Sequence, residues 1–145
     1  MTTHQQYAAL PWIDLPSGRH VLLVTSRDSG RWLIPKGWPM KARRGHEVAE
    51  MEAFEEAGVS GEVDLRPCGN YTYRKKLHFF THVICSVDVF PLHVTQQRLR
   101  WRERHQRRLQ WFPLKEAAAL VREPELAAIF ASFDPGHSAN SVDAA

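Results

Sequence analysis

One helix-forming segment lies between segments that favour strands. Residues 47–57 are good helix formers, and Gly58 follows them where a left-handed helix end is typical. The β-branched run at 20–25 (HVLLVT) predicts a buried strand, and residues 31–34 and 108–112 predict shorter ones. Because one central helix is surrounded by strands within 145 residues, the chain favours one domain of the α/β sandwich class.

The other segments complete this fold prediction. Residues 63–73 and 77–90 are expected to form two strands joined near 74–76, and residues 114–121 and 124–133 two helices. Residues 7–13 predict only an irregular or edge strand, because Pro11 has no N–H for a central ladder. We expect a single domain over 1–133, with 134–145 as a disordered polar tail.

Charge is segregated along the chain although the net charge is only +3. Residues 19–44 hold seven Lys or Arg and one acid, residues 47–64 hold seven acids and no Lys or Arg, and residues 98–108 hold six Arg and one Glu. An acidic segment between basic ones suits a polyanion held together with a cation better than a bare nucleic-acid groove.

Cysteine usage and hydropathy bear on the compartment. Two cysteines without CxxC spacing favour reduced thiols. The N-terminal residues lack the charged-then-apolar order of a signal peptide, and no apolar run approaches the roughly 20 residues that span a bilayer. We therefore expect a cytoplasmic protein without a membrane partner; the sequence does not indicate an oligomeric state.

Three glutamates share one face of the predicted helix. Glu52, Glu55 and Glu56 follow i, i+3, i+4 spacing, within an arc of about 100°. No Lys or Arg stands one turn away, so their like charges repel one another. Taken alone, the spacing is also typical of solvated glutamates. A hard divalent cation such as Mg²⁺ or Mn²⁺ would relieve the repulsion through carboxylate oxygens.

The context of this trio resembles the Nudix box, G-x5-E-x7-R-E-U-x-E-E-x-G-U, where U is a bulky aliphatic residue. The resemblance begins at Gly37, includes the glutamate trio and ends at Gly58 and Val59. Similarity extends to the segment RRLQWFPLKEAAALV, which is similar to the diphosphoinositol-polyphosphate and diadenosine-polyphosphate hydrolase branch. The resemblance implies a Nudix-type α/β/α sandwich with a mixed sheet and a metal-dependent pyrophosphohydrolase.

Three positions depart from the box. Met51 replaces its arginine, Arg43 its first glutamate and Ala53 an aliphatic residue. The family's arginine helps to hold the carboxylates, so the sequence predicts that Met51→Arg raises activity. The resemblance also implies an alternative function, a weakened Nudix module that binds a nucleotide or phosphorylated ligand.

The resemblance implies roles for particular residues. Glu52, Glu56 and the backbone carbonyl of Lys36 would bind Mg²⁺ or Mn²⁺, and Glu55 would be the catalytic base. In some members of the family the base lies outside the box. The expected substrate-binding residues are Thr25, Ser26, Arg27, Gly37, Lys75 and Arg107.

The expected partner is a small polyphosphate, either a (di)nucleoside polyphosphate or a diphosphoinositol polyphosphate. Gln5, Gln6 and Tyr7 stand where the inositol-specific branch has a basic cluster, which disfavours the more highly charged inositol. A third hypothesis treats residues 98–108 as an RNA-contacting strip, because arginines and Trp101 interleave there. A solvated loop or edge strand is the favoured interpretation of that segment.

Overall fold

Within residues 3–133, the part of the chain that the computed structural model describes, there are eight strands and three helices, with one helix between two groups of four strands and two helices at the end. The predicted tail at 134–145 lies outside the described residues. The strands are β1 (Thr3–Leu15), β2 (Gly18–Thr25), β3 (Trp32–Leu33), β4 (Lys36–Gly37), β5 (Val59–Val63), β6 (Gly69–His78), β7 (Thr81–Gln97) and β8 (Leu109–Pro113). The helices are α1 (Gly45–Ala57), α2 (Leu114–Leu120) and α3 (Pro124–Ser132).

A single mixed sheet contains all eight strands. Its main path runs β3-β2-β1-β7-β5, with β1 and β7 parallel at its centre. The remaining pairs are antiparallel: β4 adds to β1, β6 to β7 and β8 to β2. The predicted mixed sheet is confirmed.

Helices cover both faces of this sheet. Successive strand residues point to opposite faces, so Leu22 and Val24 of β2 face one way and Val21 and Leu23 the other. The first pair packs with the buried alanines of α1, and the second pair packs with buried side chains of α3. This arrangement confirms the predicted α/β/α sandwich. No helix within residues 3–133 has the length and apolar content needed to cross a bilayer.

The prediction for the first strand was wrong. β1 extends over 13 residues and lies inside the sheet, although it contains Pro11. On one side of β1, Pro11 is aligned with Leu92 of β7. On the other side, β4 pairs with residues 7 and 8 and β2 pairs from Trp12 onward, so neither strand pairs with Pro11. The missing N–H therefore falls in the gap between two neighbouring strands, where it disrupts no ladder bond.

The predicted turn at 74–76 was also wrong. Arg74, Lys75 and Lys76 continue β6, and the chain reverses at Phe79 and Phe80. Burial alternates along this part of β6: Tyr71, Tyr73 and Lys75 are partly or fully buried, whereas Thr72, Arg74 and Lys76 are exposed, as successive strand residues on opposite faces require. The helix prediction is confirmed, since α1 ends at Ala57 and Gly58 adopts a left-handed φ of 68°.

Candidate functional site

Helix α1 carries the glutamates, and both of its ends are capped. At its N-terminal end the backbone N–H of Arg44 donates to a carboxylate oxygen of Glu47 over 2.7 Å, which lowers the pKa of Glu47. At its C-terminal end the N–H of Gly58 donates to the carbonyl of Phe54 over 3.0 Å. These caps hold the last two turns, with Glu52 and Glu56, in a defined position against the sheet.

Gly37 makes room for one of these carboxylates. Strand β4 pairs with Tyr7 and Ala8 of β1, and this brings Gly37 against the side chain of Glu52. A Cβ at position 37 would overlap the Glu52 carboxyl group. The backbone at Gly37 therefore lies directly beside this carboxylate, and Lys36 precedes it in β4.

Glu56 is the buried member of the trio, with 5% of its surface exposed. Burial raises its pKa to about 8, a hydrogen bond shared with Glu52 contributes, and the charge of Arg107 opposes the shift. Burial likewise raises the pKa of Glu52. Two carboxyl groups at hydrogen-bonding distance cannot both ionise readily without a cation.

Arg107 and Glu103 enter the site from the segment between β7 and β8. The Nε of Arg107 donates to Glu103 Oε1 over 2.9 Å, and its Nη1 donates to the carbonyl of Thr25 over 3.1 Å. Its Nη2 lies 3.8 Å from Glu56 Oε1. The Arg107 guanidinium therefore contacts three elements at once: Thr25 at the end of β2, Glu103 in the 98–108 segment and Glu56 in α1.

These groups border a cavity of about 370 Å³. Its cationic side chains come from four separate positions, and three carboxylates face them. The lining includes Arg27, Lys36, Lys75, Arg107, Glu52, Glu56 and Glu103, together with Gln6, Gly37, Trp38, Pro39, Met40 and Tyr73. Burial lowers the pKa of the Lys36 amine to about 8, and the charge of Glu56 opposes that shift.

The donor set suits a hard divalent cation. Burial raises the pKa of both Glu52 and Glu56, and a bound cation would stabilise the ionised form of each carboxylate. Gly37 leaves space beside them. Within residues 3–133, no group of three or more His, Cys, Asp or Glu converges tightly enough to form a metal cluster. A backbone carbonyl, water or substrate oxygens would have to complete the coordination shell.

The structure brings most of the predicted site residues together but separates three of them. Glu55 borders another cavity, of about 300 Å³, with Glu50, Met51, Phe54 and Ser60. Thr25 and Ser26 do not border the main cavity; the Thr25 hydroxyl accepts the N–H of Arg108, and the Ser26 hydroxyl accepts the N–H groups of Asp28 and Ser29. Arg27 borders the cavity and donates to Gln106 over 2.9 Å.

Sequence reasoning missed Glu103 and the structural role of Trp101. Glu103 is the one acid among six arginines, which is a detectable signal. The indole N–H of Trp101 donates to the carbonyl of Glu56 over 3.2 Å, and its ring lies against Gly58. The indole is therefore engaged with α1, which argues against Trp101 as a base-stacking platform for RNA.

Known proteins similar in sequence to this chain are Nudix hydrolases. The chain is 32% identical over 107 residues to Nudix hydrolase 16, mitochondrial, of Arabidopsis thaliana, a match over 72% of this chain and 59% of that protein. The chain thus spans little more than half of that relative's length. No family model matches the chain.

Solved structures with the same fold have much lower sequence identity. The C. elegans Ap4A hydrolase superposes with a TM-score of 0.65 at 15% identity, over 90% of this chain and 95% of that one. The E. coli dihydroneopterin triphosphate pyrophosphohydrolase superposes with a TM-score of 0.67 at 14% identity, over 89% and 93% of the two chains. These similarities establish the fold.

Proposed function

Since the chain belongs to the Nudix superfamily, we propose that it is a divalent-metal-dependent hydrolase of the phosphoanhydride bond in a (di)nucleoside polyphosphate. The observation that carries this proposal is the convergence of Glu52, Glu56 and Arg107 beside Gly37 in one open cavity. A site with both carboxylates and cations fits a polyanion that binds with a metal ion.

Each group has a proposed role. Glu52, Glu56 and the Lys36 carbonyl would hold Mg²⁺, with Mn²⁺ as a substitute. When bound, the metal would neutralise phosphate charge and lower the pKa of a water molecule. Arg27 and Lys75 are proposed to bind phosphate oxygens, because both are cationic and border the cavity. Arg107 is proposed as a positioning residue, since it already contacts three protein groups.

Glu103 is our proposed proton acceptor, with Glu55 as the alternative. Glu103 borders the same cavity as Glu52 and Glu56, whereas Glu55 borders the neighbouring one. A general base must reach the proton it removes directly or through one water molecule. The two assignments separate by mutation: Glu103→Gln should reduce kcat at least about 100-fold, and Glu55→Gln much less.

A substrate panel tests the proposed activity. The full chain would be incubated with Mg²⁺ or Mn²⁺ and with dinucleoside polyphosphates, nucleoside triphosphates, ADP-ribose and diphosphoinositol polyphosphates. We expect hydrolysis of nucleotide substrates over the inositols, because uncharged Gln6 borders the cavity. Glu56→Gln should abolish turnover. Glu50→Gln is the matched control, since Glu50 lies on the same helix outside this cavity.

Full activity in Glu56→Gln would overturn the metal-site assignment. No turnover with any member of the panel would instead support the second candidate, a module that binds a nucleotide or phosphorylated ligand. Met51 in place of the box arginine and the position of Glu55 outside the main cavity favour that alternative. Tight nucleotide binding that Glu56→Gln leaves unchanged would establish it. The cytoplasmic location stays a prediction, because the relative described above is mitochondrial.

A further inference from the structure

The tip of the β6–β7 hairpin exposes large apolar side chains. Phe79 is 84% exposed and Phe80 is 97% exposed, and Leu77 beside them is 43% exposed. Among residues 3–133, the pairing of β1 with β7 begins at Ile84, so the hairpin tip lies beyond the described part of β1. Adjacent exposed aromatic residues on a projecting turn are typical of a contact surface rather than of a folding requirement.

The hairpin behind this tip is cationic. Arg74, Lys75 and Lys76 stand in β6, and no Asp or Glu occurs in residues 71–87. Lys75 borders the proposed active-site cavity, whereas Arg74 and Lys76 are exposed to solvent. Lys76 Nζ lies 5.8 Å from the ring centroid of Phe79. At the rise of a strand, Lys76 is set back about 10 Å from the tip.

Apolar side chains at the tip with cations behind them match the layers of an anionic bilayer surface, in which charged headgroups lie outside the acyl chains. Apolar groups at the end of the hairpin could enter the boundary between headgroups and acyl chains, while the cations set behind them reach the lipid phosphates. A second copy of the chain would bring like charges together. A site for single-stranded RNA typically has cations around aromatic side chains in a groove, whereas here the cations lie behind a projecting tip.

We propose that the tip of the β6–β7 hairpin, Leu77–Phe80 with Arg74 and Lys76, docks the protein reversibly on anionic membrane surfaces. The sequence predicted no membrane partner, because no apolar run is long enough to span a bilayer. It also placed residues 77–80 at the start of a strand rather than in a turn. Docking would leave the cavity accessible to soluble substrate, since Lys75 lies on the cavity side of the same hairpin. The inference does not depend on hydrolysis.

Vesicle cosedimentation tests this inference with the full chain. We expect binding to vesicles of equal parts phosphatidylglycerol and phosphatidylcholine, and weak binding to phosphatidylcholine alone. Phe79→Ser/Phe80→Ser and Arg74→Glu/Lys76→Glu should each lower the partition coefficient at least about tenfold. Both variants should keep the wild-type thermal unfolding midpoint. Leu99→Ser is the matched control, because Leu99 is 85% exposed outside the hairpin.

Three results would overturn the proposal. The first is no binding to the anionic vesicles, and the second is binding that Phe79→Ser/Phe80→Ser leaves unchanged. The third is a different occupant: a dimer in light scattering, or binding of a single-stranded RNA oligonucleotide, that the same double variant abolishes while vesicle binding persists. Loss of hydrolysis in the substrate panel would leave this result unaffected, so the two proposals fail separately.

Discussion

The guanidinium of Arg107 lies 3.8 Å from the carboxylate of Glu56, measured from Nη2 to Oε1. The two residues are 51 positions apart, and Arg107 also holds Glu103 and the carbonyl of Thr25. A fixed cation at this position stabilises the ionised form of a buried carboxylate that otherwise tends to hold a proton. Arg107 therefore positions two acids of the site at once.

Replacement of Arg107 should reduce activity more than stability. Arg107→Ala removes the contacts to Glu56 and Glu103, and we expect kcat to fall about 10- to 100-fold, the usual effect of losing such a supporting contact. Arg107→Lys should recover part of the rate, because it keeps the charge but not the planar fork. Steady-state kinetics with a Mg²⁺ titration measures both effects. A purely structural role would lower the unfolding midpoint and leave kcat of the folded fraction unchanged.

Met51→Arg distinguishes the sequence-based expectation from the structural one. The sequence predicts higher activity with arginine at this position. In the structure Met51 borders the neighbouring cavity with Glu55, while Arg107 already lies near Glu56. We therefore expect a change in kcat/KM of less than about threefold, within the scatter of surface substitutions. An increase of tenfold or more would show that Arg107 does not compensate for the missing box arginine.

Gly37→Ala should abolish activity with little loss of fold. The added Cβ would overlap the Glu52 carboxyl group and displace it from the cavity. Because displacements of about 1 Å at a catalytic group cost about 100-fold in rate, kcat should fall by at least that factor. Gly69→Ala is the control, since its Cβ would meet Cδ1 and Cγ1 of Ile129 at 2.8 Å, a comparable crowding of a side chain away from the site. A normal kcat in Gly37→Ala would show that activity does not require the backbone at position 37 to pack against the Glu52 carboxyl group.

Gly58 and Trp101 should be energetically coupled. Gly58 has a φ of 68°, and a Cβ there would come within 2.6 Å of the Trp101 ring. Gly58→Ala should therefore cost the left-handed strain of about 1–2 kcal/mol plus the clash. In a Trp101→Ala background only the strain should remain. A double-mutant cycle from urea unfolding measures the coupling, and additive effects would show that the indole moves aside freely.

The tyrosines give a pH-dependent signature of the core. Burial raises the pKa of both Tyr71 and Tyr73, and the neighbouring Cys85 adds to the shift of Tyr73. The hydroxyl of Tyr73 donates to Gln6 Oε1 over 2.7 Å. Both phenols are neutral in the fold, so this stabilisation is complete below the unfolded pKa of about 10 and is lost as pH rises above it.

Absorbance at alkaline pH checks this expectation. Of the three tyrosines, at most one should ionise at about pH 11 before the protein unfolds, whereas denatured protein should titrate all three near pH 10. Tyr73→Phe should leave the folded-state signal unchanged and reduce the unfolded-state signal by one phenol. Early ionisation of two tyrosines in folded protein would contradict the burial of Tyr71 and Tyr73.

The sequence by itself determined the features that depend on neighbouring residues. Helix α1, its end at Gly58 and the shared face of Glu52 and Glu56 follow from spacing within a few turns. The strand character of β2 follows from its β-branched run. These properties are local, so the residues that cause them are adjacent in the chain.

Only the tertiary structure decided which distant groups meet. The separate pairings of β1 with β4 and with β2 left Pro11 in a gap between those two strands, and the connection between β7 and β8 brought Arg107 and Glu103 to α1. The same long pairing of β6 with β7 left Phe79 and Phe80 exposed at a projecting turn. Such contacts depend on strand register and packing across the sheet, which local periodicity does not encode.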